Sequence, residues 1–413
     1  MREQITHTAE TTQSPWEAHI LKVPLDHVND REDGKFYINI SGDISPAVWV
    51  DDLQCWFLLE RQSNGSLSSH PVWINEDAQW IKGSSLTFSQ RPPAYLAKRY
   101  LYVNLPPKPA VRTKPNKPVP EIIHYIWIGD NAIPDDLKKT MTDNAARCPS
   151  WRFILHVHAL NKKTLKRIRH QFPSEGRIII KNLSLNPDFM TFLLTDSGSF
   201  YQRFLEEEHK NYGAASDILR LDVLNRYGGI YMDVDDKITS QIPTGYRLYA
   251  THNEVLLHGM LNISVYNFNG FGNSLIACHP GNPVIMAMLD EQTSRLQNAP
   301  CFFHKQRPWY TASTKLPEGE MLVYLKNIFY LTGPVMFTDV LKKLHPEYFL
   351  LESNLVTAYK ALNVSPSEPR IICNDYLEAL ENTVRYHFPF AGPEFSVKVG
   401  HAHSWNPVRK NNN

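Results

Sequence analysis

Tyr212 to Ile238, YGAASDILRLDVLNRYGGIYMDVDDKI, is the stretch on which the fold turns. Ile218, Leu219, Leu221, Leu224 and Tyr227 recur at helical spacing, with Ser216 or Asp217 as the expected N-terminal cap and Gly228 and Gly229 as the stop. Asp217 and Arg220 are three apart and share a face near the start of this helix, so they can act together. Ile230, Tyr231 and Met232 then form a short strand that delivers Asp233, Asp235 and Asp236 to its carboxyl end. Alternation along an extended chain puts Asp233 and Asp235 on one side, where two carboxylates repel unless a cation lies between them. Ligation by oxygen alone favours Mg²⁺ or Mn²⁺, metals that complete their shells with diphosphate oxygens. A nucleotide diphosphate therefore belongs beside these residues.

Upstream, strands alternate with helical segments, the order that yields a mostly parallel sheet covered by helices. Glu121 to Ile128, EIIHYIWI, is a near-continuous apolar run suited to a strand buried on both faces, and Gly129 ends it. Pro134 opens a helix to about Arg147, WRFILHVHA is a second strand, LNKKTLKRIRHQF a basic helix and RIIIKNL a third strand. Ligands of such sheets sit beyond the carboxyl ends of the strands, so Trp127 to Asp130 is where a base-binding residue is expected.

Residues 106–120, PPKPAVRTKPNKPVP, hold six prolines and read as an extended linker of limited flexibility. Before it, KFYINI, AVWVDDLQCWFLLE, HPVWI and RYLYVNL are short β-prone runs separated by turn residues. The expected organisation is a β-rich N-terminal module over 1–105, a linker over 106–120 and an α/β domain over 121–413. Its 413 residues suggest two or three domains.

Hydrophobic residues at 42% and charged ones at 21% exclude a disordered scaffold, and a formal charge of +1 leaves no global field to attract nucleic acid. Five cysteines (Cys55, Cys148, Cys278, Cys301, Cys373) are scattered without a CxxC pair, which suits a reducing compartment. The N-terminus lacks an apolar signal-peptide core, and no run of about 18 apolar residues offers a membrane span. Asn-x-Ser sequons, among them Asn64, Asn182, Asn262 and Asn363, are read as chance. The chain is expected to be soluble and cytoplasmic in its producer.

The composite resembles the metal-dependent retaining glycosyltransferases of the GT-A fold that carry an Asp-x-Asp motif. It is most similar to the catalytic domains of large clostridial glucosylating toxins and the related initiating mannosyltransferases. Four blocks carry the resemblance in order: Ile122–Gly129, Ala214–Asp235, the TGP of Thr332–Pro334, and the GHAHSW of Gly400–Trp405. It spans roughly Val119 to Trp405 and leaves out the first 118 residues.

By this resemblance Trp127 would stack on the uracil, while Asp217 and Arg220 would hold sugar hydroxyls, the arginine also approaching phosphate. Tyr231 and Asn273 match donor-contacting positions. Asp233 would contact ribose and reach the metal indirectly, and Asp235 would ligate it. Asp236 matches no required family position and is read as an outer or solvated carboxylate. In the terminal motif either His401 or His403 could reach the metal, with His403 the choice, Ser404 bonding metal or phosphate and Trp405 capping the leaving group.

The resemblance implies transfer of a hexose with retention, from UDP-glucose or UDP-N-acetylglucosamine, with GDP-mannose as an alternative donor. Toxin-like blocks on a chain without a signal peptide suggest an effector, reaching a host cell by a signal-peptide-independent route and glycosylating a host protein. A polysaccharide or glycolipid transferase and a catalytically silent sugar-nucleotide-binding protein are the alternatives. An Asp-x-Asp-x-Thr/Val phosphatase fits poorly, because Lys237 stands where Thr or Val is needed.

Overall fold

The computed structural model describes residues 117–400 other than 174–175, 309–318 and 363–373, with 360–362 and 374–376 by backbone only. Before them it describes Pro109 and the backbone of eight strands. His401, His403, Ser404 and Trp405 lie outside the described residues. The chain divides into two compact units, Met1–Arg112 with Leu350–Val384, and Thr113–Phe349 with Arg385–Asn413.

In the first unit, β1 (His19–Pro24) pairs antiparallel with β8 (Tyr100–Leu105). Between them β2 (Val28–Asp30), β3 (Phe36–Ile40), β4 (Asp43–Val50), β5 (Cys55–Arg61), β6 (Leu67–Ile74) and β7 (Trp80–Lys82) form one antiparallel sheet in sequence order. The β-prone runs named above fall on these strands.

The second unit opens with β9 (Ile122–Gly129), α1 (Asp135–Arg147), β10 (Arg152–Ala159), α2 (Lys162–Gln171) and β11 (Ile178–Asn182). Each lies within a residue or two of its sequence-based limits. Helices α3 (Pro187–Phe192), α4 (Asp196–Arg203) and α5 (Tyr212–Tyr227) precede β12 (Gly229–Met232) and β13 (Lys237–Ile238). Next come β14 (Leu256–Leu257), the hairpin of β15 (Met260–Ile263) and β16 (Phe268–Phe271), and β17 (Leu275–Cys278). The remaining elements of this unit are α6 (Pro283–Gln297), α7 (Gly319–Leu331), α8 (Pro334–Leu344) and β18 (Val397–Lys398), while α9 (Tyr348–Leu362) and α10 (Asn374–His387) fall almost wholly in the first unit.

The central sheet has the order β11-β10-β9-β12-β17-β14, with β9 to β12 pairing in parallel and β17 antiparallel to both its neighbours. This is an α/β arrangement with a mostly parallel sheet, as the resemblance implies. Ile123, Tyr125, Phe153, Leu155, Val157, Ile230 and Met232 fill one core with Met141 and Ala145 of α1 and Ile168 of α2. On α5, Ala214, Ala215, Ile218, Leu219, Leu221 and Leu224 are buried on more than one face, as a helix packed between sheet and other helices requires.

Helix α5 starts earlier than Ser216. Asn211 is its cap, the side-chain oxygen accepting the Ala214 N–H at 3.1 Å, so neither Ser216 nor Asp217 caps it. The difference matters, because both are then free to face the interior. The helix stop is as expected: Gly228 (φ 58°) and Gly229 (φ 85°) take left-handed conformations, and a Cβ on Gly229 would meet Ile122 O at 2.6 Å. That close approach seats β12 against β9.

Beside this turn two buried imidazoles are in contact, His124 Nδ1 with His156 Nε2 at 2.9 Å, and His124 Nε2 reaches Gly228 O at 3.0 Å. A carbonyl can only accept, so His124 carries its proton on Nε2 and His156 donates from Nε2. Burial pushes His124 down to about 4 and lowers His156 well below the ordinary range. The folded state therefore refuses protons that the unfolded chain takes up below pH 6.5. Stability contributed by the neutral pair is present above that pH and falls toward pH 4, by roughly 1.4 kcal/mol per unit per histidine. Calorimetric Tm values between pH 7 and 4.5 should show the fall, and the double change His124→Phe, His156→Phe should flatten it.

Candidate active site

Strand β12 ends at Met232, and the four residues after it close a tight turn in which the Asp236 N–H donates to Asp233 O at 3.1 Å. The spacing of Asp233 and Asp235 is thus set by a turn and not by the strand alternation expected from the sequence. The Asp233 N–H is held by Ser274 O at 2.9 Å. Register fixes what lies alongside: Tyr231 is paired with His124 of β9, so Trp127, three residues further along β9, reaches the level of this turn. Trp127 is half-buried against the core, its indole N–H donating to Asn131 O at 3.0 Å.

Arg220 is the hub. Its Nη2 lies 2.9 Å from Asp217 Oδ1 and 3.4 Å from Asp233 Oδ1, its Nη1 donates to Asn273 O at 2.6 Å, and its Nε to Ser216 O at 3.3 Å. The guanidinium also covers the Tyr231 ring at 4.5 Å. Tyr231 is itself buried and donates from its hydroxyl to Asp233 Oδ1 at 2.5 Å. Four sequence-predicted residues, Asp217, Arg220, Tyr231 and Asp233, are therefore joined directly, and Asn273 is a fifth.

Asp217 has 0% exposure, and both carboxylate oxygens are taken. Oδ1 receives Arg220 and the Asn273 amide at 3.0 Å, and Oδ2 receives the Thr332 hydroxyl at 3.1 Å. Burial pushes its acidity up to about 7, with the Arg220 guanidinium pulling the other way. Burial raises Asp233 too, against the same arginine. A guanidinium held by this many acceptors is fixed in place before any ligand arrives.

Three participants were not legible as such in the sequence. Thr332 stands in the TGP block, but its bond to Asp217 crosses 115 residues and has no local signature. Gln292 on α6 donates to Thr332 O at 3.0 Å and belongs to no motif. Asn144 on α1 sits beneath the acidic turn, donating to Asp236 O at 2.8 Å and accepting the Ile238 N–H at 2.8 Å. Only a helix position and a polar residue type marked it.

Asp236, expected to be an outer or solvated carboxylate, is 1% exposed and so is not solvated. Its Oδ1 accepts the Gly400 N–H at 2.7 Å, and its Oδ2 makes no hydrogen bond among the described residues. Among those residues no three His, Cys, Asp or Glu side chains converge on a cation position. The donor chemistry still suits a hard cation: Asp235 is a half-buried carboxylate at the turn tip, and a buried carboxylate oxygen of Asp236 lies unpaired nearby. Asp233 Oδ1 is already engaged by Tyr231 and Arg220, so Asp235 is the stronger candidate ligand.

Residues 134–255 match the family model for the glycosyltransferase sugar-binding region containing the DXD motif. This segment is similar to a DXD glycosyltransferase region. It contains Asp217, Arg220, Tyr231, Asp233 and Asp235; Trp127, Asn273 and Thr332 fall outside it. A protein named Toxin from Photorhabdus asymbiotica is 24% identical over 407 residues, covering 94% of this chain and 13% of its own length. That match reaches into the N-terminal residues, which the motif blocks left out. Subversion of eukaryotic traffic protein A of Legionella pneumophila is 27% identical over 226 residues, 54% of this chain and 31% of its own length. Among solved structures, PaToxG glycosyltransferase is similar over 67% of this chain and 87% of that one, with 23% identity and a TM-score of 0.46. The chain thus spans less than a third of these two curated relatives.

Proposed function

We propose that the chain is a metal-dependent retaining glycosyltransferase that moves a hexose from UDP-glucose or UDP-N-acetylglucosamine to a protein of a host cell. One observation supports it above the rest: inside the segment that matches the DXD glycosyltransferase region, the buried Asp217–Arg220 pair, joined to the half-buried Asp233, lies at the carboxyl edge of the sheet, directly before the turn that presents Asp235. Open parallel sheets bind ligands at that edge. Two relatives called a toxin and a protein subverting eukaryotic traffic support the host-cell setting. No helix among the described residues is long and apolar enough to cross a membrane.

Mn²⁺ or Mg²⁺ would be held by Asp235, with Asp233 acting through water, and His403 is our choice for a further ligand. Bound there, the cation supplies charge neutralisation for the departing diphosphate. Arg220, preorganised by Asp217 and Asn273, places a second positive charge where negative charge develops as the anomeric bond lengthens. Trp127 offers a flat face for the uracil, Tyr231 keeps Asp233 aligned, and Ser404 and Trp405 cover the leaving group. Asp217 is fully buried with both oxygens engaged by protein groups, so its contribution passes through Arg220.

A thermal-shift panel of UDP, GDP, UDP-glucose, UDP-N-acetylglucosamine and GDP-mannose, each with and without Mn²⁺, tests donor and metal together. A ligand present at about 100 times its Kd should stabilise the fold by about 2.7 kcal/mol. Shifts for UDP and a UDP-sugar that need Mn²⁺ are expected, followed by slow metal-dependent release of free hexose. Stabilisation by UDP with no turnover in the presence of host-cell lysate would favour the silent binder, and label entering glycan instead of protein would move the acceptor class.

A further inference from the structure

Strand β13, immediately after the acidic turn, pairs antiparallel with β18, Lys237 opposite Lys398 and Ile238 opposite Val397. Continuing that register by two residues brings Gly400 opposite Asp235. The contacts agree: the Gly400 N–H donates to Asp236 Oδ1 at 2.7 Å, and a Cβ on Gly400 would collide with the Asp235 carboxylate and lie 2.7 Å from Asp235 O. Two sequence features that had no role, a third aspartate outside the family pattern and the glycine that opens GHAHSW, therefore meet at one point.

Asp236 is well placed to hold something. Its N–H closes the turn on Asp233 O, its carbonyl is fixed by Asn144, and its side chain is buried. We propose that Asp236 is a positioning residue that fixes Gly400, and with it the start of the C-terminal segment, against the Asp235 carboxylate. The inference deepens the glycosyltransferase reading and rests on it for its catalytic consequence. Its chemical content is a single charge-assisted hydrogen bond from a backbone amide, paired with a position where only glycine avoids a clash.

Three variants separate this role from plain fold support. Asp236→Ala removes the acceptor, Asp236→Asn keeps an oxygen for the Gly400 N–H, and Gly400→Ala keeps Asp236 but forces the backbone away from Asp235. Hydrogen exchange read on peptides covering Gly400 should speed up roughly 10- to 100-fold in Asp236→Ala, the factor expected for loss of a hydrogen bond to a charged group. It should speed up in Gly400→Ala and stay near wild type in Asp236→Asn. With a UDP-sugar as probe, KM for donor and the Mn²⁺ concentration for half activity should rise about tenfold in the alanine variants, with the asparagine variant restoring both. Unchanged exchange at Gly400 in Asp236→Ala overturns the contact. Faster exchange with unchanged KM and Mn²⁺ dependence overturns the positioning role, leaving only a structural bond. Should Asp236→Ala not fold, Gly400→Ala decides alone by the same two measurements. A wild-type protein that neither binds nor turns over any sugar nucleotide would remove the catalytic reading, while the exchange data still report on the contact.

Discussion

Replacing Arg220 by leucine is expected to destabilise the second unit by about 3–5 kcal/mol, the usual cost of stranding one partner of a buried ion pair. Asp217 would be left fully buried with its charge uncompensated, and the carbonyls of Ser216 and Asn273 would lose their donor. Arg220→Lys is the more informative change. A lysine retains the charge but cannot address Ser216 O, Asn273 O, Asp217 and Asp233 from one rigid fork. The lysine variant should fold, with a lowered denaturant midpoint, and its donor turnover should fall roughly 100-fold, in the range seen when one preorganised transition-state donor is lost. Denaturant curves at pH 7 and hexose release measured on the same preparation give both numbers. Wild-type turnover in the lysine variant would mean that the guanidinium only holds the core together.

The second large effect is expected at Asp235. Asp235→Asn removes a negative oxygen donor while keeping shape, so the fold should change by less than about 1 kcal/mol, as is usual for a substitution that creates no cavity. Hexose release should fall by roughly 10²–10³, and the Mn²⁺-dependent part of the UDP thermal shift should disappear. Asp233→Asn is predicted to behave differently. There Tyr231 and Arg220 both lose a charged acceptor, so stability should drop along with activity. Equal stability loss in the two variants would show that Asp235 is as deeply built into the protein as Asp233.

The sheet was legible because its strands announce themselves. EIIHYIWI is a near-continuous apolar run that ends at Gly129, and Asn161 caps the helix after the next strand, so local chemistry alone stops the one and starts the other. Helix α5 was legible in its body and its glycine stop, but not in its start. Asn211 lies before two small residues, Gly213 and Ala214, that interrupt the apolar repeat from which the limits were drawn. The acidic motif was legible as chemistry and misjudged as geometry: four residues with three aspartates form a turn, and period-two alternation does not apply to it. Asp217, Arg220, Tyr231 and Asp233 are close in sequence, so their meeting could be read from helix and strand periodicity. Thr332, Gln292 and Asn144 reach the same place from remote segments, and only tertiary packing brings a hydroxyl or amide to a buried carboxylate or a turn carbonyl.

The division into two units has a practical consequence for dissecting the chain. The first unit is assembled from two stretches separated by more than two hundred residues of sequence, Met1–Arg112 and Leu350–Val384. Severing the protein in its proline-rich stretch would therefore separate the two parts of the first unit. The excised piece would carry 350–384 stripped of its companions, exposing whatever that stretch normally covers. Shorter versions intended for enzymology should replace or remove that excursion as well, or keep the first 112 residues.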